Sequence, residues 1–437
     1  MKSNSFQIIV LVIFGALAVL AVLVFSGAIK IGDSKKSDVP GGNVVLWGTW
    51  KRDTIIRLFD DLNRTNKSFS VTYIQKNPQT FASDLVEAIA SGFGPDMVLI
   101  SQDEIVATQN KLYHIPYASF PERSYKDTYT QEGDLFLAPD GIIALPLTID
   151  PIILYYNRNL FEGAGITLPP KTWDEMTKIV PLLTKRDSNN NLIQSAISFG
   201  SFTNVMHADD IFSLLLQQAG NPIVAYNGQI LQSKLSDKMG FSTSPAESTL
   251  TFYTSFIDPN NKLYSWTKAF PNSRDAFLSE QLAMYLGYAS ELPLISAKNP
   301  NLNFDIATVP QIPGSNAKST YGNMYGIAIV KSSKNIATAF GAATLLSGPD
   351  FMGKVITKLL EEAPIAPTRR DMLATPPQNL YGPTLYGSAL ISRAWLTPSK
   401  SVSSQIFSDM IEDVVRGALN VQDSISKANN RLNVSLQ

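Results

Sequence analysis

The sequence predicts an α/β protein in which helices cover a largely parallel β-sheet. Between residues 44 and 100, short apolar runs alternate with amphipathic segments in the order β-α-β-α-β. Such an order gives parallel strands joined by crossover helices. The chain has 437 residues, of which 44% are apolar and 17% are charged. That composition provides enough apolar side chains for two or three globular domains.

Residue periodicity defines the individual elements. Residues 44–47, 70–75 and 97–100 are short runs rich in apolar residues, as buried strands are. The segments 54–63 and 81–90 repeat apolar residues at helical spacing. The later elements that the pattern predicts are helices at 172–183, 208–219, 334–346, 404–419 and 421–432 and strands at 282–286, 304–309 and 325–330.

The charge balance and the rare residues exclude several classes of protein. Lys and Arg number 36 against 37 Asp and Glu, a net charge of −1, whereas proteins that bind nucleic acids usually carry a basic excess. The chain has no cysteine and only two histidines, which excludes disulfides, thiolate metal sites and multi-histidine metal centres. We therefore expect no nucleic acid, no cofactor and no metal ion.

The N-terminus carries a segment long enough to cross a membrane. Residues 8–29 form an uncharged apolar run of 22 residues, and a spanning helix needs about 20. After a short flank (1–7), we expect this run to be a transmembrane helix that anchors the protein. A cleaved signal peptide ending near residues 26–28 is the alternative, and a lipoprotein signal is excluded because there is no cysteine. Residues 30–42 form a polar, flexible linker.

The loops after the first and third strands are the expected ligand site. Ligands of parallel α/β sheets lie beyond the carboxyl ends of the strands. Trp47 ends its strand and is expected in the core, whereas Trp50 lies past the strand end and Asp103 lies just beyond the third strand. An aromatic face beside a carboxylate suits a sugar, which offers C–H faces and hydroxyl groups. A solvated or capping Asp103 is the alternative.

Residues 142–176 carry five short motifs in a fixed order. The motifs are Leu145-Pro146, Asp150, Tyr156-Asn157, Leu160 to Ile166 and Pro169 to Glu175. This stretch resembles the signature of family 1 extracellular solute-binding proteins, the group that includes maltose-binding protein. Weaker matches follow in the family's order at 94–98, 277–284, 323–340 and 367–370. The resemblance covers the chain from residue 43 to residue 435.

The resemblance implies a bilobed, periplasmic-binding-protein-like fold, with the ligand held in the cleft between two hinged α/β lobes. Lobe 1 would comprise residues 43–150 plus 296–350, and lobe 2 residues 151–295 plus 351–437. Family members feed ABC importers, so permease subunits are the expected partners of a monomeric, non-enzymatic protein. It would be anchored in the cell membrane with its binding region outside, or secreted if the apolar segment is cleaved. Lysines after the apolar run instead favour a cytoplasmic C-terminal region. We give more weight to the resemblance, which implies an exterior location.

The resemblance also implies which residues line the cleft. Asp103 and Asp150 match carboxylates that accept sugar hydroxyl groups in the family. The other residues expected to bind ligand are Trp50, Asn204, His207, Tyr288, Ser290, Tyr325 and Arg369.

Several of these residues have an alternative role. Ser290 stands where the family has a tryptophan that stacks on the sugar, and we expect Tyr288 to replace that ring. His207 would otherwise be a structural histidine, and Tyr325 a packing residue. Arg369 would otherwise form a salt bridge with an acidic residue.

We therefore expect a protein that captures a small solute, with a carbohydrate as the first candidate, and delivers it to an ABC importer. A polyol, a glycerol phosphodiester or a cationic amine would also suit the acidic residues. A ligand sensor or adhesion module on the same scaffold is the alternative class. A glycoside hydrolase needs two carboxylates across the scissile bond, and nothing in the sequence places Asp103 and Asp150 in that way. Residues 348–355 nearly match a phosphate loop but lack its final Ser or Thr, so we expect a loop-to-helix joint there.

Overall fold

The computed structural model describes residues 42–228, 230–315, 317–359 and 363–436. The predicted flank, the predicted apolar helix and the linker up to residue 41 lie outside these described residues. Within the described ranges, no helix combines the length and the apolar character needed to cross a membrane.

The strands of the described residues carry the labels β1 to β16 in chain order. They are β1 (Asn43–Gly48), β2 (Ser70–Gln75), β3 (Met97–Ser101), β4 (Leu112–Tyr113), β5 (Leu137–Ala138), β6 (Gly141–Ile142), β7 (Ala144–Asn157), β8 (Lys185–Arg186), β9 (Leu192–Ile197), β10 (Val224–Asn227), β11 (Ile230–Ser233), β12 (Leu282–Tyr288), β13 (Phe304–Ala307), β14 (Thr320–Val330), β15 (Ala366–Pro367) and β16 (Ser392–Arg393).

The α-helices carry the labels α1 to α16. They are α1 (Arg52–Thr65), α2 (Phe81–Ala90), α3 (Ile105–Thr108), α4 (Glu122–Thr128), α5 (Arg158–Gly163), α6 (Trp173–Leu183), α7 (Ala208–Gln218), α8 (Pro245–Thr254), α9 (Ser273–Leu278), α10 (Leu292–Lys298), α11 (Ile336–Leu346), α12 (Pro349–Leu359), α13 (Arg370–Leu373), α14 (Gly382–Leu390), α15 (Lys400–Val415) and α16 (Val421–Ser435).

The predicted β-α-β-α-β order does form a parallel sheet. Strand β1 pairs in parallel with both β2 and β3, and α1 and α2 are the crossover helices. The main sheet continues in the order β2-β1-β3-β14-β7-β12-β9-β8. Because β1 and β3 run in the same direction, their carboxyl ends meet at one edge of the sheet.

Two long strands join the lobes of this α/β fold. Residues 144–151 of β7 pair with β14, whereas residues 152–157 of the same strand pair with β12 and β13. Strand β7 therefore changes partners at its middle and belongs to both lobes. Strand β14 lies beside it, and its first residues also pair with β16. These crossing strands form the hinge region.

Alternating side chains along β3 divide the core into two clusters. Met97 and Leu99 enter one cluster, and Val98 and Ile100 enter the other, which continues into the second lobe. The predicted lobe boundaries at residues 150, 295 and 350 stay a prediction. Near two of these boundaries, β13 pairs with the second half of β7, and Phe351 packs in the first-lobe cluster.

Two boundaries differ between sequence and structure in ways that affect the site. Helix α15 begins at Lys400 rather than at residue 404, because the Ser399 hydroxyl accepts the Val402 N–H and caps it. Strand β14 begins at Thr320 rather than at residue 325, because Thr320 and Tyr321 pair with β16 and residues 322–324 pair with β7 across the hinge. The loop-to-helix joint at residues 348–355 is confirmed, since Pro349 is the first residue of α12.

Candidate ligand site between the lobes

The carboxyl edge of the first-lobe sheet meets the hinge strands at one place. Ser101, the last residue of β3, lies opposite Tyr325 of β14. Further along β14, Asn323 lies opposite Asp150, at the point where β7 changes lobe. Trp50, Asp103, Asp150 and Tyr325 therefore gather at this edge, as the strand-end rule predicts.

Trp50 and Tyr325 form an aromatic corner of the site. Their ring centroids are 6.1 Å apart with the planes tilted by 58°, and both rings pack partly against the first-lobe core. The Trp50 carbonyl accepts a hydrogen bond of 2.8 Å from the Tyr73 hydroxyl, which fixes the loop after β1. Trp47, by contrast, is buried in the core, as expected.

Asp103 is held in a tight turn after β3. The Glu104 carboxylate accepts the Ser101 N–H at 2.8 Å, so this turn is capped without using Asp103. The Oδ1 atom of Asp103 is buried and has no hydrogen-bond partner among the described residues. Burial raises the pKa of Asp103 to about 6, and the nearby Lys400 opposes that rise.

Asp150 lies in the hinge and is shared between the lobes. Its Oδ1 accepts the Ser290 N–H at 3.1 Å. Burial raises its pKa to about 7, the hydrogen bonds from Ser290 oppose that rise, and Glu291 adds to it. Asp150 and Ser290 are thus brought together as the sequence predicts. Ser290 contributes its backbone N–H to this contact.

Glu132 is a buried carboxyl group that the sequence reasoning missed. It lies in the 3₁₀ turn Gln131–Phe136 and is 2% exposed, and neither of its oxygens has a hydrogen-bond partner among the described residues. A Cβ atom on Gly322 would lie 2.3 Å from Glu132 Oε2, so a larger residue there would displace the Glu132 carboxyl group. Burial raises the pKa of Glu132 to about 8; Arg393 opposes the rise and Asp103 adds to it.

Three more buried oxygens near Glu132 and Asp150 lack a partner within the described ranges. They are Asn323 Oδ1, Thr130 Oγ1 and Thr368 Oγ1. Asn323 follows Gly322, against which Glu132 packs, and the Thr130 N–H donates to the Thr368 carbonyl at 2.9 Å. Buried polar atoms are nearly always hydrogen-bonded. A group of unpartnered acceptor oxygens at a hinge is therefore a feature that needs a functional explanation.

The second lobe contributes an ordered network around Glu291. His207 Nε2 lies 2.6 Å from Glu291 Oε1, and the Tyr285 hydroxyl donates to Oε2 at 2.8 Å. Arg274 adds an ion pair at 3.6 Å. Burial alone would raise the pKa of Glu291, but the bonds from His207 and Tyr285 outweigh it, and the pKa is lowered. His207 precedes α7 with φ 57°, a left-handed conformation that costs free energy in a non-glycine residue.

Tyr288 links this network to the start of α7. Its ring meets the His207 ring edge-on at 4.8 Å, and its hydroxyl donates to Asp210 Oδ2 at 2.8 Å. Asp210 is also bonded to Lys400, whose Nζ lies 3.1 Å from Asp209 Oδ2. Asp209, Asp210 and Lys400 face Asp103 of the first lobe across a small cavity that Tyr321 also lines. Tyr288 is thus in the site, with its hydroxyl already engaged.

The site therefore holds two sets of carboxyl groups. The paired carboxyl groups, which have cationic partners in the second lobe, are Asp209, Asp210 and Glu291. The unpaired carboxyl groups, for which the described residues offer no ion pair, are Asp103, Glu132 and Asp150.

Two of the predicted site residues are occupied elsewhere. The Asn204 amide donates to the carbonyls of Thr267 and Phe270 at 3.1 Å and accepts from the Trp266 indole at 3.0 Å. Those bonds use its side chain to brace a loop. Arg369 forms two bonds to Asp371 at 3.0 and 2.7 Å, so the salt-bridge alternative describes it.

Four of the residues that the sequence reasoning missed share one property, which is that they do not follow a predicted strand. Glu132 lies in a 3₁₀ turn, Asp209 and Asp210 open α7, and Lys400 opens α15. Acidic residues in the first turn of a helix usually interact favourably with the helix dipole. The one available signal was the Asp-Asp pair that follows His207 after one alanine, which sequence alone does not separate from such a cap.

A larger cavity lies between the lobes beside this site. It measures about 720 Å³ and is lined by His114 and Asp140 of the first lobe and by Tyr226 and Leu231 of the hairpin β10–β11. A neighbouring cavity of about 370 Å³ shares Tyr226 and Leu231 and extends to Trp395. Neither is lined by one of the residues predicted to bind ligand.

A two-lobed α/β scaffold whose polar residues face each other across hinge strands is the architecture of a protein that closes around a small solute. The sequence supports that class directly. A family profile described as "Bacterial extracellular solute-binding protein" matches residues 48–352. The chain therefore belongs to the bacterial extracellular solute-binding protein family.

Curated relatives are distant. A protein of Brucella abortus (strain 2308) that is named as a binding protein is 24% identical over 275 residues, which is 62% of this chain and 62% of that protein. A binding protein of Brucella suis biovar 1 (strain 1330) gives the same identity and coverage. The chain thus spans about 62% of the length of the curated relatives it matches.

Solved structures share the fold at low sequence identity. The sugar-binding protein of the phytopathogen Xanthomonas citri has a TM-score of 0.72 and 18% identity, over 90% of this chain and 97% of that one. A cyclo/maltodextrin-binding protein complexed with maltotetraose has a TM-score of 0.71 and 14% identity, over 93% and 99%. An ABC transporter solute-binding protein from Thermotoga lettingae, bound with α-D-tagatose, has a TM-score of 0.63 and 20% identity, over 90% of this chain and 100% of that one. These likenesses establish the bilobed fold.

Proposed function

We propose that this protein captures a carbohydrate between its lobes outside the cytoplasm and delivers it to an ABC importer. The observation that carries the proposal is the group of buried, unpartnered acceptor oxygens at the hinge, on Asp103, Glu132, Asn323, Thr130 and Thr368. A solute rich in hydroxyl groups would supply the missing donors. The solved relatives include proteins complexed with maltotetraose and with tagatose, which supports the same class.

Each predicted ligand residue has a separate proposed role. The Trp50 and Tyr325 rings would face the C–H surface of a sugar, as aromatic rings do in such sites. Asp103 and Asp150 would accept hydrogen bonds from sugar hydroxyl groups, and Ser290 would donate hydrogen bonds from its backbone N–H. His207 and Tyr288 would hold the second-lobe wall, because their polar atoms bond to Glu291 and Asp210. Asn204 and Arg369 would support the fold.

The proposed mechanism is hinge closure. Strands β7 and β14 would bend where they cross between the lobes, and the solute would select the closed state because only that state contacts it from both sides. Binding is then the whole activity, and no bond is made or broken. Permease subunits would dock on the rim of the closed lobes. Residues 8–29 would anchor a monomer to the outer face of the membrane.

The test is titration calorimetry of the full chain in detergent against neutral mono-, di- and oligosaccharides, with polyols, glycerophosphodiesters and amino acids as other classes. We expect saturable binding of a carbohydrate and no turnover of it over hours. Binding confined to another class would overturn the carbohydrate proposal. Release of hydrolysis products would support the hydrolase alternative, and binding without any effect of gene deletion on uptake would support a sensor.

A further inference from the structure

The unpaired carboxyl groups converge on one place. Gln102, the neighbour of Asp103, bonds to the Gly322 carbonyl at 3.3 Å and to the Met324 N–H at 2.6 Å. Glu132 packs against Gly322, and Asp150 lies opposite Asn323. Asp103 and Asp150 both affect the pKa of Tyr325 on the same strand, so all three groups lie near β14. Asp103 also raises the pKa of Glu132, so at least these two groups sense each other's charge.

The surrounding basic side chains are committed to other groups. Lys400 is held by Asp209 and Asp210, and His207 is held by Glu291 at 2.6 Å. Arg393 lies close enough to Glu132 to affect its pKa, but its guanidinium donates to the Ser392 carbonyl at 2.8 Å and to the Gln131 side chain. The described residues thus leave this wall of the site with acidic groups and without a bonded cation.

A ligand hydroxyl group and a ligand ammonium group would act differently here. Both donate hydrogen bonds, so both would satisfy the unpartnered oxygens. Only the ammonium would also neutralise the charge of carboxylates taken out of water, which is otherwise costly. Burial raises the pKa of Asp103 to about 6, of Asp150 to about 7 and of Glu132 to about 8, so negative charge is disfavoured here without a bound cation.

The chain itself contains such an arrangement a short distance away. The Lys400 ammonium lies between Asp209 and Asp210 and 5.6 Å from the centroid of the Tyr321 ring. An ammonium held by carboxylates over an aromatic ring is a favourable combination. The wall formed by Asp103, Glu132 and Asp150 offers the same carboxylates, and Trp50 and Tyr325 offer the rings.

We infer that the solute of this site carries a protonated amine together with hydroxyl groups, as an amino sugar does. The inference rests on the proposed function, since it names a subclass of carbohydrate for the same site. It follows from three carboxyl groups without a bonded cation in a site where Asp209, Asp210 and Glu291 each have one.

The experiment compares matched ligands on the full chain in detergent. The pairs are glucose with glucosamine, galactose with galactosamine, mannose with mannosamine and cellobiose with the fully deacetylated chitin disaccharide. N-acetylglucosamine is included as the ligand whose nitrogen is uncharged, and spermidine as a cation without hydroxyl groups. Titration calorimetry at pH 7 gives Kd for each.

We expect the amine of at least one pair to bind about tenfold or more tightly than its neutral partner, with N-acetylglucosamine behaving like the neutral sugar. Neutral sugars binding as tightly as the amines would overturn the inference and leave the proposed function standing. Spermidine binding without any sugar would overturn the carbohydrate proposal and retain only the cation. Failure of every ligand to bind would overturn both.

Isosteric variants locate the effect. Asp103→Asn, Glu132→Gln and Asp150→Asn each replace an ionisable carboxyl group with a neutral amide, and we expect each to raise the amine-to-neutral ratio of Kd values severalfold, toward 1. Asp127→Asn is the matched control, because that carboxylate lies on α4 with a side chain 74% exposed, and its ratio should equal that of the unmodified protein. An unchanged ratio in all three site variants would also overturn the inference, and the comparison of ligands on the unmodified protein does not depend on their folding.

Discussion

The paired and the unpaired carboxyl groups occupy opposite walls of one site and yet have opposite surroundings. Glu291 in the second lobe bonds to His207, Tyr285 and the Tyr288 N–H, and its pKa is lowered. Glu132 in the first lobe is just as buried, bonds to no described residue, and has a raised pKa. The same side chain thus serves as scaffold where partners surround it. Where such partners are missing, the side chain is available to bind a ligand.

The pH dependence of stability is the largest expected difference between the two walls. The unfolded chain loses the Glu132 proton near the ordinary pKa of 4.5, whereas the folded chain keeps it up to about 8. The folded state binds more protons over that range, so this group lowers the free energy of unfolding as pH rises from about 4.5 to about 8, by up to about 1.4 kcal/mol per unit. Glu132→Gln should remove that slope.

Chemical denaturation of both proteins at pH 5, 6, 7 and 8 measures this effect. The variant should gain stability relative to the unmodified protein as pH rises. A difference that is constant with pH would mean that Glu132 is ionised in the folded protein and has a cationic partner.

Removing a paired group should have the next largest effect. Glu291→Ala deletes the acceptor of His207, Tyr285 and Arg274 in one step. Breaking a buried ion pair and its hydrogen bonds costs about 3 kcal/mol or more, so the free energy of unfolding at pH 7 should fall by about that amount. Asp127→Asn, an exposed carboxylate, should change it by less than about 0.5 kcal/mol. Equal effects of both changes would mean that Glu291 stabilises the fold no more than an exposed carboxylate does.

A third test converts paired groups into unpaired ones. Lys400→Met leaves Asp209 and Asp210 without their ammonium partner, facing Asp103. Because the Lys400 side chain is 43% exposed, water screens part of the loss, and we expect about 2 kcal/mol of destabilisation at pH 7. Burial raises the pKa of Asp210, so the loss should shrink as pH falls and this carboxyl group becomes protonated. A loss that grows at low pH would contradict this account.

The smallest expected effect is on ligand affinity at the first-lobe wall. Trp50→Ala removes an aromatic face, and Asp150→Ala removes an acceptor in the hinge. Each should weaken binding of the solute about tenfold, or about 1.4 kcal/mol, with an unchanged circular dichroism spectrum. Asn204→Ala should instead lower stability and leave the affinity intact, because its amide bonds only within the second lobe. Unchanged affinity in both Trp50→Ala and Asp150→Ala would show that the solute does not bind at this edge of the sheet.

The sequence predicted the part of the site that depends on strand direction. Trp50 and Asp103 follow parallel strands, and the carboxyl ends of such strands meet wherever a β-α-β unit forms. Asp150 and the bilobed fold came from the resemblance over residues 142–176. The strand registers then placed Tyr325 beside Ser101, which the alternation of apolar residues in β14 does not specify on its own.

The rest depended on which way polar side chains turn, and no periodicity records that. Asn204 and Glu132 are both polar residues in irregular segments. The first is consumed by three bonds to neighbouring groups, and the second by none. Lys400 was hidden for a different reason, since the helix was expected to begin at residue 404 and the cap at Ser399 extends it. Tertiary contacts decide each of these cases.

The change of partners within β7 has a mechanical consequence. A rigid body that rotates about an axis moves each of its atoms in proportion to the distance from that axis. Asp150 lies where the strand passes from one lobe to the other, so it would sit near the pivot and travel little. Residues of either lobe that lie further from the pivot would travel further. A solute that first docks at Asp150 would keep that contact throughout the swing, while the grip of the outer residues is gained last on capture and given up first on release.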